Sequence, residues 1–139
     1  MVVNQRVFSH TVRVPYAHVD QMGYVYYANY YVYFEMARAE MLREAGMPYT
    51  DMEKRGVMLP VVTSHCEYKK PAHFDDLLVI ETRCTEINGT RLRIEYLVAR
   101  SDTVIVRGYT EHVCLSTPGG KVLRPLPELK KLMHEARHE

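Results

Sequence analysis

The sequence predicts an α+β fold in which one antiparallel sheet wraps a single long helix. Apolar residues recur every three or four positions from Tyr27 to Ala45, which is the spacing of one helix face. Later segments instead alternate apolar and polar residues, and an Asn-Gly pair joins two of them as a hairpin. A helix with one apolar face buries it well against the concave side of a sheet, so we expect these elements to share one core.

The length and composition are those of one ordinary folded domain, which we assign to residues 1–139. Hydrophobic residues make up 47% of the chain and the formal net charge is +1, so no overall field favours nucleic acid or an anionic membrane. The first ten residues lack the apolar run of a signal peptide, and no apolar run approaches the length of a membrane span. We therefore expect a soluble, cytoplasmic protein that binds no nucleic acid and does not insert into membranes.

The first elements are a strand and the long helix. The strand is predicted over residues 5–14, where valine and phenylalanine lie among polar neighbours before Pro15. Gly46 can adopt the left-handed conformation that ends helices and Pro48 cannot continue one, whereas the helix start is placed between Gly23 and Tyr27. The buried stripe of this helix is predicted to contain Tyr27, Tyr30, Phe34, Ala37, Met41 and Ala45.

The remaining elements are a short helix, four strands and a terminal helix. Thr50 and Glu53 have the spacing of a capping box, which predicts the short helix. Strands follow at residues 62–69, 77–87, 92–98 and 103–116, and a type I′ turn at Asn88 and Gly89 joins the second and third. Residues 126–137 have the pattern of a short amphipathic helix. The open edges and convex face of such a sheet favour an oligomer.

Most familiar catalytic and metal-binding motifs are absent from the sequence. No serine lies in GxSxG, and there is no glycine-rich dinucleotide or phosphate loop. Cys66, Cys84 and Cys114 lack the spacing of a zinc site or a disulfide framework, so we expect buried, reduced thiols. His112 and Cys114 share a strand face, but two ligands are too few for zinc, and we expect no metal.

The loop HVDQMGY, between the first strand and the long helix, remains as a candidate for chemistry. Asp20 could simply be a turn former or a helix cap, since aspartate is common in both places. Alternatively, Gly23 permits a ligand to approach the backbone, and the free N–H groups of the helix start lie nearby. A carboxylate beside such N–H groups has the composition of a general base, or a nucleophile, next to an oxyanion hole. The residues alone leave both interpretations open.

A family resemblance extends over residues 5–123. It is carried by VPYAHVDQMGYVYYANYYVYFEMAR, which contains the pattern D-x-x-G-x-V-x-x-x-N-Y followed by F-E-x-A-R, and by YKKPAHFDDLLVIET. The chain resembles the hotdog-fold acyl-CoA thioesterases of the 4-hydroxybenzoyl-CoA thioesterase family, most closely its YbgC-like branch. The resemblance implies a long central helix wrapped by a five- or six-stranded antiparallel sheet. It also implies a homo-oligomer, built as a dimer of dimers, with active sites at the dimer interface.

The implied activity is hydrolysis of an acyl-CoA thioester, with coenzyme A as part of the substrate and no separate cofactor. By position, Asp20 corresponds to the essential carboxylate, acting as general base or nucleophile, and the backbone N–H of Tyr27 to the oxyanion-binding group. The residues expected beside the acyl group are Gly23, Tyr24, Tyr30, Phe34, Leu59, Pro60 and Val61, the last three from a partner subunit. The residues expected to bind the phosphates of coenzyme A are Lys69, Lys70, Arg91 and Arg93.

Two other functions fit the same sequence. A noncatalytic acyl- or CoA-binding module would need the same shape and would use Asp20 only as a cap. A hotdog acyl-CoA hydratase or dehydratase would use an aspartate and a histidine. His18 is the nearest histidine, but it precedes Asp20 by two residues in the loop.

Overall fold

The computed structural model of the protein describes residues 6–133. Helix α1 covers Asn29–Glu44 and helix α2 covers Tyr49–Lys54, and short 3-10 helices lie at Tyr16–His18 and Pro127–Leu132. The strands are β1 (Phe8–Arg13), β2 (Val57–Met58), β3 (Val61–Tyr68), β4 (Leu77–Asn88), β5 (Arg91–Arg100), β6 (Thr103–Ser116) and β7 (Val122–Leu123). The five long strands confirm the five predicted from the sequence, whereas β2 and β7 have two residues each and were not predicted.

The strands form one antiparallel sheet around α1. The long strands follow the order β1-β4-β5-β6, and β3 pairs with the remaining edge of β6. The short strands β2 and β7 pair with the last residues of β6. Helix α1 packs against β1 and β4, and its buried side enters the single large cluster of core residues. This is the predicted hotdog arrangement, in which an antiparallel sheet wraps a long helix.

Helix α1 buries the predicted stripe except at its two ends. Tyr30, Phe34, Ala37 and Met41 are buried, as the spacing predicts. Tyr27 is instead 59% exposed, and α1 begins two residues after it, so the predicted start is too early. A periodic aromatic pattern cannot distinguish a ring in the core from one beside a cavity. The other end is confirmed, because Gly46 follows α1 with a φ of +85°.

Gly108 of β6 allows α1 to lie close to the sheet. A Cβ atom at this position would be 2.5 Å from the His65 carbonyl oxygen and 2.7 Å from the Phe34 ring. Phe34 stacks on Tyr96 with ring centroids 4.2 Å apart and planes only 5° from parallel. The contact between the helix and the sheet therefore depends on the missing side chain of Gly108.

Two local predictions are wrong in detail. The β4–β5 hairpin forms, but a bulge between Cys84 and Glu86 shifts the pairing by one residue, so that the loop consists of Gly89 and Thr90. Gly89 has a φ of +62° and Thr90 is not in the left-handed region, which are the φ signs of a type II′ turn rather than type I′. The capping box is absent because α2 begins before Thr50.

The last predicted element is only partly within the described residues. The sequence predicts an amphipathic helix over residues 126–137. Its described part is the 3-10 helix Pro127–Leu132, with Leu129 and Leu132 buried, and residues 134–137 lie outside the described range. The two leucines still cover the core, as the predicted amphipathic face requires.

A chain of hydrogen bonds crosses the core, which we call the buried polar chain. Arg38, only 8% exposed, donates from Nη1 to Tyr96 Oη over 3.0 Å. Tyr96 Oη lies 2.7 Å from Thr110 Oγ1, which lies 2.8 Å from His112 Nε2. His112 Nδ1 in turn lies 3.0 Å from the Leu59 carbonyl oxygen. Among residues 6–133, no carboxylate lies within 4.0 Å of the Arg38 guanidinium, so hydroxyl oxygens take the place of a counter-ion.

The burial of His112 predicts a loss of stability in mild acid. Desolvation, together with the nearby Arg38 charge, lowers the pKa of His112 to about 4. An unfolded histidine binds a proton below about pH 6.5, so the unfolded state gains protons first and folding weakens as the pH falls. We expect the free energy of unfolding to fall by about 2 kcal/mol from this residue between pH 7 and pH 5.

Urea unfolding at pH 7 and pH 5, compared between the natural protein and His112→Asn, measures the contribution of His112 to the pH dependence of the free energy of unfolding. Asparagine does not titrate, and its amide can still donate to the Leu59 carbonyl. Partial desolvation raises the pKa of Asp76, but hydrogen bonds donated by the His73 N–H and the Arg100 guanidinium outweigh it and leave the pKa below its usual value. The contribution of such a carboxylate to the free energy of unfolding is therefore lost only in stronger acid. An equal pH dependence in both proteins would contradict the assignment.

Candidate active site

The loop between β1 and α1 folds back on itself around Asp20. The Asp20 N–H donates to the Tyr24 carbonyl over 2.8 Å, and the Asp20 carbonyl accepts from the Gly23 N–H over 3.0 Å. Gly23 has a φ of +79°, a conformation that other residues seldom adopt. The Val25 N–H donates to the Ala72 carbonyl over 2.8 Å and fastens the loop to the segment after β3. The loop therefore holds Asp20 in one place.

The two carboxylate oxygens of Asp20 have different surroundings. Oδ1 accepts hydrogen bonds from the backbone N–H groups of Met22, at 2.9 Å, and Tyr24, at 3.2 Å. Oδ2 has no hydrogen-bond partner among residues 6–133. The helix-capping interpretation is wrong, because the N-cap of α1 is Ala28 and no side chain caps it. Asp20 thus shapes the loop with one oxygen and leaves the other for a ligand or water.

The segment that leads into α1 carries two backbone N–H groups that bond to no acceptor among the described residues. The Asn29 N–H donates to the Tyr26 carbonyl over 2.9 Å, and the Tyr30 N–H donates to the Tyr27 carbonyl over 3.3 Å. Within the described part of the chain, the N–H groups of Tyr27 and Ala28 have no acceptor. The N-terminus of a helix also carries a partial positive charge. These two N–H groups can therefore stabilise a negative oxygen.

A cavity of about 320 Å³ brings the carboxylate and the helix start together. Its lining residues are Asp20, Met22, Tyr24, Val25, Tyr27, Tyr30, Tyr68, Lys69, Lys70 and Pro71. A cavity of similar size, about 330 Å³, lies beyond the C-terminal end of α1 and is lined by Met47, Met52 and Leu126 among others. Volume alone does not distinguish the two. We select the first because its lining combines Asp20, with an available carboxylate oxygen, Tyr27, whose N–H has no acceptor among the described residues, and two lysines.

Tyrosine rings form the walls of the Asp20 cavity. The Tyr30 and Tyr68 rings have centroids 5.7 Å apart, and the Tyr27 and Tyr68 rings 6.2 Å apart. Desolvation raises the pKa of Tyr30 and of Tyr68 above the usual phenol value. Both hydroxyls are therefore neutral near pH 7 and can donate hydrogen bonds to a bound group.

The predicted site residues divide into those in this cavity and those outside it. Asp20, Tyr24, Tyr27, Tyr30, Lys69 and Lys70 line it. Gly23 is not among its lining residues, and neither is Phe34, because its side chain is fully buried between α1 and the sheet. Leu59, Pro60 and Val61 also lie outside it, at the start of β3, where Val61 is 45% exposed. Arg91 and Arg93 lie beside a separate cavity of about 90 Å³, together with Glu86 and Glu111.

Four lining residues were not predicted from the sequence: Met22, Val25, Tyr68 and Pro71. Tyr68 directly precedes the two lysines and ends an alternating strand pattern, which was a signal for its position but not for its role. Val25 and Pro71 join the cavity through the hydrogen bond between the loop and Ala72, a contact between distant parts of the chain that no local pattern reports.

Other chemistries find little support among the described residues. His18 Nδ1 is 2.9 Å from Tyr33 Oη, and His18 does not line the Asp20 cavity. Within residues 6–133, no group of three His, Cys, Asp or Glu side chains could hold a metal ion. The three cysteines are free thiols; Cys84 and Cys114 are buried as expected, whereas Cys66 is only half-buried. Desolvation raises the pKa of each, to about 12 for Cys84. In the same range, no helix has the length and hydropathy needed to cross a membrane.

Comparison with known proteins identifies similar sequences and structures. A family model described as the thioesterase superfamily matches residues 22–107. The chain is 30% identical over 131 residues to the acyl-CoA thioesterase YbgC of Haemophilus influenzae, and the aligned region covers 94% of this chain and 96% of that protein. It is 33% identical over 104 residues to the acyl-CoA thioester hydrolase YbgC of Escherichia coli O6:H1, covering 75% and 78%. The crystal structure of a hypothetical protein from Aquifex aeolicus matches with a TM-score of 0.85 and 30% identity, covering 91% and 98%.

Proposed function

The chain belongs to the thioesterase superfamily, and on that premise we propose that it hydrolyses an acyl-CoA thioester to a free carboxylate and coenzyme A. The predicted resemblance to YbgC-like thioesterases is confirmed by the two relatives of that name. The observation that carries the proposed mechanism is that Asp20, with Oδ2 available, and Tyr27, whose N–H has no acceptor among the described residues, line one cavity.

In this mechanism, the thioester carbonyl oxygen faces the N–H of Tyr27 and the carbonyl carbon faces Asp20. Asp20 either removes a proton from an attacking water or attacks the carbon itself to give a mixed anhydride that water then hydrolyses. The developing oxyanion is stabilised by the Tyr27 N–H. An oxyanion donor of this kind is worth on the order of 3 kcal/mol of the barrier. When the oxyanion collapses, the carbon–sulfur bond breaks and the thiolate leaves as coenzyme A after taking up a proton. That proton is the one that Asp20 removed from water or, in the anhydride route, one from solvent.

The two ends of the substrate occupy different parts of the surface. Lys69 and Lys70 are exposed and bring positive charge to the cavity, which suits the phosphates of coenzyme A. Lys69 Nζ also lies 3.2 Å from Glu67 Oε2, and such an exposed pair exchanges readily for a phosphate. Arg91 and Arg93 lie beside a separate cavity, away from Asp20 of the same chain. In this proposal they would therefore contact the phosphates of a coenzyme A molecule whose thioester lies in the Asp20 cavity of a neighbouring subunit. The acyl group lies along α1, against Leu59, Pro60 and Val61 of the partner subunit, with Gly23, Tyr24 and Tyr30 around the thioester.

The proposed assembly is a homo-oligomer, as a dimer of dimers. Strand β3 pairs only with β6 within the described residues, which leaves one edge of β3 unpaired. Val61, Val62 and Tyr68 on this strand are large apolar or aromatic residues with nearly half of their surface exposed. Unpaired edges of this kind are usually covered in solution. We expect multi-angle light scattering to give a mass of four chains, and a stable monomer would contradict the shared site.

One observation favours a second candidate, the noncatalytic acyl- or CoA-binding module. Asp20 Oδ1 already has a structural role in the loop, so the residue would be needed even without catalysis. The hydratase alternative is weaker, since it requires a histidine beside the aspartate and His18 is engaged with Tyr33.

A thiol-release assay over acyl-CoAs of increasing acyl size, both linear and aromatic, tests the proposed function. Steady release of one thiol for each carboxylate formed is the expected result. Binding of acyl-CoA, measured by calorimetry, without release of thiol from any of them would favour the binding module. Loss of a double bond or uptake of water without thiol release would favour the hydratase.

A further inference from the structure

For a neutral His112, the buried polar chain has one direction of hydrogen-bond donation. A guanidinium can only donate and a backbone carbonyl can only accept, so the chain starts at Arg38 and ends at Leu59. Between these ends, the Tyr96 hydroxyl donates to Thr110 Oγ1 and the Thr110 hydroxyl donates to His112 Nε2. His112 Nδ1–H then donates to the Leu59 carbonyl. Because the Leu59 carbonyl can only accept, a neutral His112 carries its proton on Nδ1 and accepts at Nε2.

The Leu59 carbonyl lies where backbone pairing is sparse. The register between β3 and β6 shifts between Val61 and Thr63, so the ladder is interrupted there. Pro60 has no N–H to donate, and its carbonyl accepts a bond of 3.3 Å from the Val113 N–H. The bond from His112 is thus one of the few that fix the backbone of this segment.

The other end of the chain lies on the helix that forms the proposed oxyanion hole. Arg38 is in α1, and its Nε also donates to Tyr49 Oη of α2 over 2.8 Å. Burying a charge costs free energy because the charge loses its hydration, so a buried charge is usually paired with an opposite charge. A buried arginine that donates to two hydroxyls from different elements contributes a fixed geometry, because each bond holds α1 against one of them. The arrangement connects α1 with the Leu59 segment through β5 and β6.

We propose that the buried polar chain is a positioning device for acyl recognition, which fixes the segment Leu59–Pro60–Val61 relative to α1. This inference rests on the proposed function, in which that segment borders the acyl group bound by the neighbouring subunit. Arg38, Tyr96, Thr110 and His112 are positioning residues in this scheme. None of them lines the Asp20 cavity, so they act on acyl binding through the segment and not on the reacting atoms.

The test uses Thr110→Val, which keeps the shape of the side chain and removes the hydroxyl at the centre of the chain. Thr110→Ser restores the hydroxyl and serves as the rescue. Thr82→Val is a matched control, because Thr82 is 1% exposed, Thr110 is 3% exposed, and the Thr82 hydroxyl has no hydrogen-bond partner. Tyr96→Phe is a second variant that breaks the chain while its ring can still stack on Phe34, in case Thr110→Val folds poorly.

The expected result depends on the size of the acyl group. Thr110→Val and Tyr96→Phe lower kcat/KM about tenfold for long or bulky acyl-CoAs, mainly through KM, and leave the shortest acyl-CoA within about twofold. Thr110→Ser and Thr82→Val keep the natural profile. In hydrogen exchange, the amides of Leu59, Val61 and Val62 exchange faster in Thr110→Val than in Thr82→Val, and nitrogen-15 spectra of the natural protein place the His112 proton on Nδ1.

Three results would overturn the inference. One is an equal loss of activity for every acyl size, another is equal amide exchange in the two valine variants, and the third is a His112 proton on Nε2, which would reverse the order of donation. A natural protein that releases no thiol from any acyl-CoA would instead remove the proposed function. The amide exchange and the tautomer would then still decide whether the chain positions the segment.

Discussion

Asp20→Asn is expected to lower kcat/KM for acyl-CoA hydrolysis about a thousandfold, because an amide can neither take a proton from water nor attack the thioester. The substitution is unusually specific at this position. Asp20 uses only Oδ1 in the loop, where it accepts from the Met22 and Tyr24 N–H groups, and the amide oxygen of asparagine can accept the same two bonds. The change therefore falls on Oδ2, the oxygen without a partner among residues 6–133, and should leave both the fold and acyl-CoA binding intact.

Two variants define what the Asp20→Asn result means. Asp75→Asn is the matched control, since Asp75 is also a loop aspartate, lies outside the Asp20 cavity, and has a φ of +68° that asparagine tolerates. Tyr27→Phe tests the oxyanion hole, because the proposed donor is the backbone N–H and the phenol is not needed; its activity should stay within about threefold of the natural protein. Full activity in folded Asp20→Asn would exclude Asp20 as base and nucleophile. A larger loss in Tyr27→Phe than in Asp20→Asn would point to chemistry by the tyrosine hydroxyl.

Gly108→Ala should lower the free energy of unfolding by about 3 kcal/mol, a typical upper value for overpacking a core. The added methyl group would meet the His65 carbonyl oxygen at 2.5 Å and the Phe34 ring at 2.7 Å. The ring could rotate, but the carbonyl belongs to the backbone of β3, so either the strand or α1 has to move. Gly108 does not have a positive φ, and alanine would otherwise stabilise the strand slightly. The whole loss would therefore come from the lost space between helix and sheet.

Gly46→Ala provides the comparison for this prediction. Gly46 has a φ of +85°, and a Cβ atom added there would have no neighbour within 4 Å, so the substitution costs about 1 kcal/mol of backbone strain without a steric clash. Chemical denaturation of both variants at one pH would measure the difference. If Gly108→Ala proved no more destabilising than Gly46→Ala, the helix would not be held against the sheet as closely as described.

The sequence predicted those parts of the fold that depend on local patterns. Alternation along β5 is confirmed residue by residue, because Leu92, Ile94, Tyr96 and Val98 are all buried. The turn of the β4–β5 hairpin could not be placed correctly, since the bulge that shifts it depends on the partner strand. The start of α1 was misplaced for a different reason. Tyr27 continues the apolar spacing of the helix but lines a cavity, and spacing alone does not report which of the two a ring contacts.

The candidate site was predictable in its residues more than in its arrangement. Asp20 and Gly23 were visible as a loop before a helix, and the family pattern singled them out. The separate roles of the two Asp20 oxygens follow only from the closed loop. Likewise, the partners of Arg38 come from β5 and α2, at distances along the chain of 58 and 11 residues. No local pattern indicates such contacts, because they arise when the sheet wraps the helix.

The tyrosine walls of the Asp20 cavity also contribute to the light that the protein emits. The chain contains eleven tyrosines and no tryptophan, so its ultraviolet fluorescence comes from tyrosine alone. Four of those rings, Tyr24, Tyr27, Tyr30 and Tyr68, line this one cavity. A ligand that fills the cavity is therefore expected to change part of the protein's own tyrosine emission, and this change needs no attached label.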